Sequence, residues 1–162
     1  MIVRDLKNGF VIELPEGWHE RKGSFGTLTH HSIFFGFIGD KRYFESSDGK
    51  SKLTTSAGPN IWPSPIIRKA VMCDFLVFNV FLELKETDLG EVPGYCLGGE
   101  ENTVYYRYES PHGSGRFISA VRGGVEYTLR TSMVKDEDEQ ERNAEIESII
   151  SSFCFLDPVQ QG

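Results

Sequence analysis

The sequence predicts an α+β fold in which an antiparallel β-sheet is sandwiched between α-helices, and three stretches carry that prediction. In "SIFFGFIGD" apolar residues fall at odd positions, Ile33, Phe35 and Phe37, and at even ones, Phe34 and Ile38, as in a strand covered on both faces. "FISAVRGGVEYTLR" reads as a hairpin turning at Gly123-Gly124, since both central turn positions accept positive φ at little cost. Residues 136–153 place Ile146, Ile149, Ile150 and Phe153 at helical spacing behind an acid-rich first turn, which favours the positive end of a helix dipole.

The remaining elements follow in order. Residues 9–14 alternate as a strand, and "PEG" at 15–17 stops it just before Trp18. Gly49 marks a hairpin turn, with "LTTSA" as a further strand. Ser64 and Pro65 form a helix start, the serine capping orphan amides and the proline standing where its missing N–H costs nothing. Ile67, Val71, Phe75 and Phe78 then follow as one apolar stripe. Beyond Asn79 the period shortens to two, which predicts that the helix hands over to a strand. In "NTVYYRYE" the even residues Val104, Tyr106 and Tyr108 are expected to share a face with Ile118 and Ala120. That pairing sets Tyr108 opposite Ile118 and leaves "PHGSG", 111–115, as a five-residue hairpin loop.

Composition narrows the function. The 162 residues, 39% hydrophobic, suit a single domain spanning 1–162 that builds its core without staples. A formal charge of −7 argues against nucleic-acid partners and anionic membranes, both of which need clustered Lys and Arg. Cys73, Cys96 and Cys154 lack metal-knuckle spacing, leaving either free thiols or one disulfide with one free thiol. The N-terminus has no apolar signal region and no run long enough to span a bilayer, so a cytoplasmic location without membrane insertion is expected.

Site motifs are sparse. His30 and His31, adjacent on a strand, point to opposite faces and do not share a metal. Ser114 in "HGSGR" lacks a nucleophile elbow, and the same loop lacks the lysine of a phosphate cradle. No catalytic, cofactor-binding or metal-binding residue is therefore assigned. Seven carboxylates in residues 135–147 read as a solvated helix start, or as a lip for a basic partner. Trp62, in the Pro-rich "SAGPNIWPSP", reads either as a core lid or as a binding anchor.

"GFVIELPEGW" at 9–18, "GVEYTLRTS" at 124–132 and "IESIISSFCFLDP" at 146–158 together resemble the PsbP-like superfamily, which includes the photosystem extrinsic protein, the Ran-binding Mog family and bacterial DcrB-like proteins. Pro15, Gly17, Trp18, Ser152 and Phe153 carry the likeness. It implies an antiparallel sheet between helical layers, and binding rather than catalysis, as in adaptors, assembly factors and secretion chaperones. The expected function is a non-enzymatic protein-binding adaptor or chaperone without cofactors, its oligomeric state left open between monomer and dimer; the alternative is a small-ligand or hydrolytic protein with a deep pocket. The expected partner surface joins Trp62 to Tyr105 and Arg107, which should point away from the face claimed by Tyr106 and Tyr108; the alternative is that a helix covers that second face and buries Tyr105 as ordinary core.

Overall fold

The structure, a computed structural model, describes residues 1–23, 39–83 and 88–157, with side chains described outside 75–88. Among these residues, β1 (Ile2–Asp5), β2 (Phe10–Glu13) and β10 (Cys154–Phe155) form a three-stranded sheet in the order β1-β2-β10. The larger, seven-stranded sheet contains β3 (His19–Arg21), β4 (Asp40–Glu45), β5 (Ser51–Pro59), β6 (Asp88–Glu91), β7 (Thr103–Glu109), β8 (Gly113–Arg122) and β9 (Val125–Val134), in the order β3-β4-β5-β9-β8-β7-β6. Every pairing is antiparallel. Helices α1 (Pro65–Glu83) and α2 (Glu139–Ser151) cover opposite faces of the large sheet, which is the α+β sandwich the sequence predicts. Residues 32–38 of the expected "SIFFGFIGD" strand and the His30-His31 pair lie outside the described residues.

The α2 face carries the main apolar core. Ile146, Ile149 and Ile150, all on one stripe of the helix, meet Tyr105, Ile118, Ala120 and Leu129 of the large sheet and Phe10 and Ile12 of the small one. Phe153 leaves the helix end to stack on Phe10, with ring centroids 5.4 Å apart. Trp18 is buried in the same core and donates its indole N–H to Glu145 at 3.2 Å. On the other face Met72 of α1 packs with Val104, Tyr106 and Phe117.

The Gly123-Gly124 turn is as expected: Arg122 pairs with Val125, Ala120 with Tyr127 and Ile118 with Leu129, and the two glycines take φ of 58° and 77°. Gly49 turns the β4–β5 hairpin at φ 69°.

Two expectations fail, each for a physical reason. The β7–β8 register brings Tyr106 opposite Phe117, Tyr105 opposite Ile118 and Tyr108 opposite Gly115, three residues away from the expected set. Because β7 is buried on both faces, its apolar residues do not specify a register by themselves. The loop is correspondingly shorter. Gly113, Ser114 and Gly115 belong to β8, and the Ser110 hydroxyl accepts the backbone N–H of His112 and Gly113 to close a tight turn. Gly115 is required where it stands, since a Cβ would run into the Tyr108 ring, whose hydroxyl reaches across to the Thr131 carbonyl at 2.9 Å.

The second correction concerns α1, which continues to Glu83 instead of yielding to a strand after Asn79. Its phase also differs from the expected stripe: Arg68 and Met72 face the sheet, while Ile67 is 46% exposed. Period-two apolarity past Asn79 does not exclude a helix, since the adjacent apolar residues Val80, Phe81 and Leu82 satisfy alternation and helical spacing alike.

Candidate functional site

The connection from β5 to α1 is built as a rigid ledge. The Asn60 N–H donates to the Gly124 carbonyl at 2.9 Å, tying the ledge to the neighbouring hairpin turn. The Asn60 side chain accepts the Trp62 N–H at 3.2 Å, a local turn typical of asparagine. Ser64 then caps the helix, its hydroxyl accepting the Ile67 N–H at 3.2 Å and its carbonyl the Arg68 N–H at 3.0 Å. Pro59, Pro63 and Pro65 restrict the backbone between these ties and stand exposed.

A buried polar relay fastens the ledge from beneath. Trp62, half-buried, donates its indole N–H to the Glu126 carboxylate at 3.0 Å. The Ser119 hydroxyl donates to the other Glu126 oxygen at 2.8 Å and accepts from the Arg68 guanidinium, also at 2.8 Å. Arg68 is 1% exposed and further donates to the backbone and side-chain oxygens of Asn102 at 2.8 and 2.5 Å. Burial pushes the Glu126 carboxyl above its ordinary range, opposed by the Ser119 hydrogen bond, the Arg68 charge and the Trp62 hydrogen bond. Burial likewise lowers the Arg68 pKa, while Glu126 resists the change. Charged groups this deep cost stability unless paired, and here their cost is offset by the relay.

With Arg68 turned inward, the isoleucines before it are turned outward. Ile61, Ile66 and Ile67 are 56%, 81% and 46% exposed on a backbone that the relay and the cap hold still. Beside them runs a shallow groove of about 380 Å³ between the first turn of α1 and the start of β7, lined by Pro65, Ile66, Lys69, Glu101, Thr103 and Val104 among others. Lys69 on its rim pairs with Glu91. The arrangement presents fixed apolar area, which is what a protein partner can use.

The structure separates the three residues expected to form one surface. Trp62 belongs to the ledge on the α1 side. Tyr105 is only 6% exposed, in the core beneath α2, where its hydroxyl accepts from the Arg116 guanidinium at 2.7 Å. The expected outward direction of Tyr105 was right, but α2 covers that face. Arg107 is exposed on the α2 side, at the mouth of a separate cleft. Sequence reasoning missed Ile66, Ile67 and Arg68. Adjacent residues on a helix lie about 100° apart, so the pair Ile66-Ile67 signalled that a narrow inward stripe would leave one of them outside.

Two other clefts flank α2. One, about 320 Å³, lies between its first turns and the ends of β7, β8 and β9. The other, about 220 Å³, is walled by Trp18, Asp48, Asp138, Glu141, Arg142 and Glu145. In the second, Arg142 binds Asp48 at 2.5 Å and Asp136 at 3.0 Å, tying α2 to the β4–β5 hairpin. Hydrogen bonds from Ser46 and Arg142 hold Asp48 well below the carboxylate range, and those from Lys50 and Arg142 hold Asp136 at about 2. Part of the acidic run is thus occupied structurally. Among the described residues, no group of three His, Cys, Asp or Glu side chains is placed to hold a metal ion, and no helix is long and apolar enough to cross a membrane.

No protein-family description matches the chain, and no curated protein is similar to it in sequence. Solved structures are similar in fold. Cyanobacterial PsbP from Synechocystis superposes with a TM-score of 0.63 at 14% identity, covering 96% of this chain and 91% of that one. The Ran-binding protein Mog1p of Saccharomyces cerevisiae gives 0.60 at 5% identity, covering 98% of this chain and 96% of that one. The chain shares its fold with these PsbP and Mog1p structures, which is the fold that the sequence resemblance implies.

Proposed function

We propose that this chain is a protein-binding adaptor that docks its partner on the ledge formed by residues 59–67 and the adjoining groove. One observation carries the reading: Ile61, Ile66 and Ile67 are held in solvent on a backbone fastened by a buried ion-containing relay. Surface isoleucines cost nothing to replace, whereas burying Arg68 and Glu126 beneath them is expensive, so the ledge is built for presentation rather than for folding. Its rigidity lowers the entropy lost on association. The partner supplies an apolar segment that fills the groove beside Val104. The fold neighbours agree in kind, since the yeast protein bears the name of a Ran-binding protein; at 5% identity this supports the class of function and not the partner.

The test is retention of a partner from extract of the native cell by the wild type and by an Ile61→Ser, Ile66→Ser, Ile67→Ser variant. A discrete protein held in near-equal molar amount by the wild type and lost by an equally stable variant supports the reading. A partner retained by both, or a wild type that holds none, rejects it.

A further inference from the structure

The cleft between α2 and the ends of β7, β8 and β9 contains an arrangement that the ledge does not use. Arg107 and Arg116 lie directly opposite in the β7–β8 register and therefore share the face beneath α2. Like charges placed across a strand pair destabilise a sheet unless an anion lies against them. Arg116 is 7% exposed and is oriented by three partners: the Tyr105 hydroxyl at 2.7 Å, the Asn143 side-chain oxygen at 2.5 Å and the Glu147 carboxylate at 2.9 Å. Arg107 makes one long ion pair, 4.0 Å to Glu109, and its charge also acts on Glu147. The rim carboxylates Glu109 and Glu139 both lie near Lys135, at 3.6 and 4.0 Å, which turns part of their charge away from the cleft. Ser114, Gln140 and Asn143 supply neutral polar groups, and Met133 and Ile146 an apolar wall. The volume of about 320 Å³ is at the lower end for small-molecule sites.

We propose that this cleft binds a small molecule carrying a carboxylate on an apolar body, the carboxylate bridging Arg107 and Arg116. Glu147 already shows a carboxylate seated on Arg116, reached from the helix side. Its own side chain is 56% exposed and free to yield as a ligand enters from the Arg107 side. The planar guanidinium fork suits two-point recognition of a carboxylate, while Met133 and Ile146 face the remainder of the ligand.

Benzoate, hexanoate and inorganic phosphate, titrated separately at low salt into the full chain followed by amide NMR, test the proposal. Saturable shifts of the Gly115, Arg116, Gln140 and Asn143 amides are expected with benzoate or hexanoate. Affinity should fall about tenfold in Arg107→Gln, whose exposed position preserves the fold, and in Arg116→Lys, which keeps the charge but loses the fork. Absence of saturable shifts with both carboxylates, shifts outside the cleft, or equal affinity in Arg107→Gln overturns the proposal. Binding of phosphate alone overturns the carboxylate assignment.

Discussion

Helix α2 buries its isoleucines and α1 displays its own. In α2 Glu141 and Glu147 face solvent and Ile146, Ile149 and Ile150 face the sheet, with the buried Arg142 paired to Asp48 and Asp136. In the first turns of α1 the pattern is inverted, with Arg68 inside and Ile66 and Ile67 outside. The difference separates two tasks. One helix holds the sheet, while the start of the other is held by the sheet so that its apolar side chains remain available. Buried arginines recur elsewhere, at Arg116, Arg130 and Arg142, so what sets the start of α1 apart is its pair of exposed isoleucines, and such a local departure from pattern is where function is expected to lie.

If α2 is the structural helix, its face should be the most costly to break. Phe153→Ala, at the stack on Phe10, should destabilise by about 3–5 kcal/mol in equilibrium denaturation. An effect below about 1 kcal/mol would remove that distinction.

The relay beneath α1 should come next. Arg68→Met leaves Asn102 and Ser119 short of donors and Glu126 without its nearby positive charge, and should cost about 2–3 kcal/mol. Adding Glu126→Gln should recover part of this loss, because the uncompensated buried charge disappears. A double variant as unstable as the sum of the singles would show that the two groups are not coupled.

Acid titration sharpens the comparison further, because the two regions respond with opposite sign. Asp48 and Asp136, at the α2 end, are depressed in the folded state, so their stabilisation is complete above the ordinary carboxylate range and is lost as pH falls through it toward about 2. Glu126, under α1, is raised, so its burial costs most at neutral pH and the cost is relieved as pH falls through its folded pKa to the ordinary range. Relative to wild type, Glu126→Gln should therefore become less stable on moderate acidification, and Asp136→Asn should show a shallower loss below about pH 4. Parallel pH profiles for all three proteins would contradict the assignment.

Smallest should be the effect of Ile66→Ser, within about 0.5 kcal/mol of wild type, since the side chain is 81% exposed.

Much of this architecture is legible from sequence where one face of an element is apolar and the other polar. The β8–β9 register follows from Gly123-Gly124 together with the alternation on either side, and the α2 face follows from its three isoleucines. Legibility fails where both faces are apolar. Tyr105 is assigned from sequence only to the face opposite Tyr106 and Tyr108, open to a partner or covered by a helix; β7 lies between two helices and buries all three. The α1 stripe was set in the phase of Ile67 because an arginine was not counted as core; its hydrogen bonds to Ser119 and Asn102, distant in sequence, make Arg68 buriable. Of the expected partner surface, Trp62 alone lies on the ledge, as a fastening rather than as the exposed contact. Pairings of this kind depend on tertiary proximity, which a pattern along the chain does not encode.

The central claim, that the start of α1 is a presented surface, is tested most directly by a photo-crosslinking side chain placed at Ile66 in the native cell. Ile2, 59% exposed at the edge of the small sheet, is the control position. The account predicts one discrete adduct from position 66 and none of that mass from position 2. No adduct at 66, or the same adduct from both positions, would contradict it.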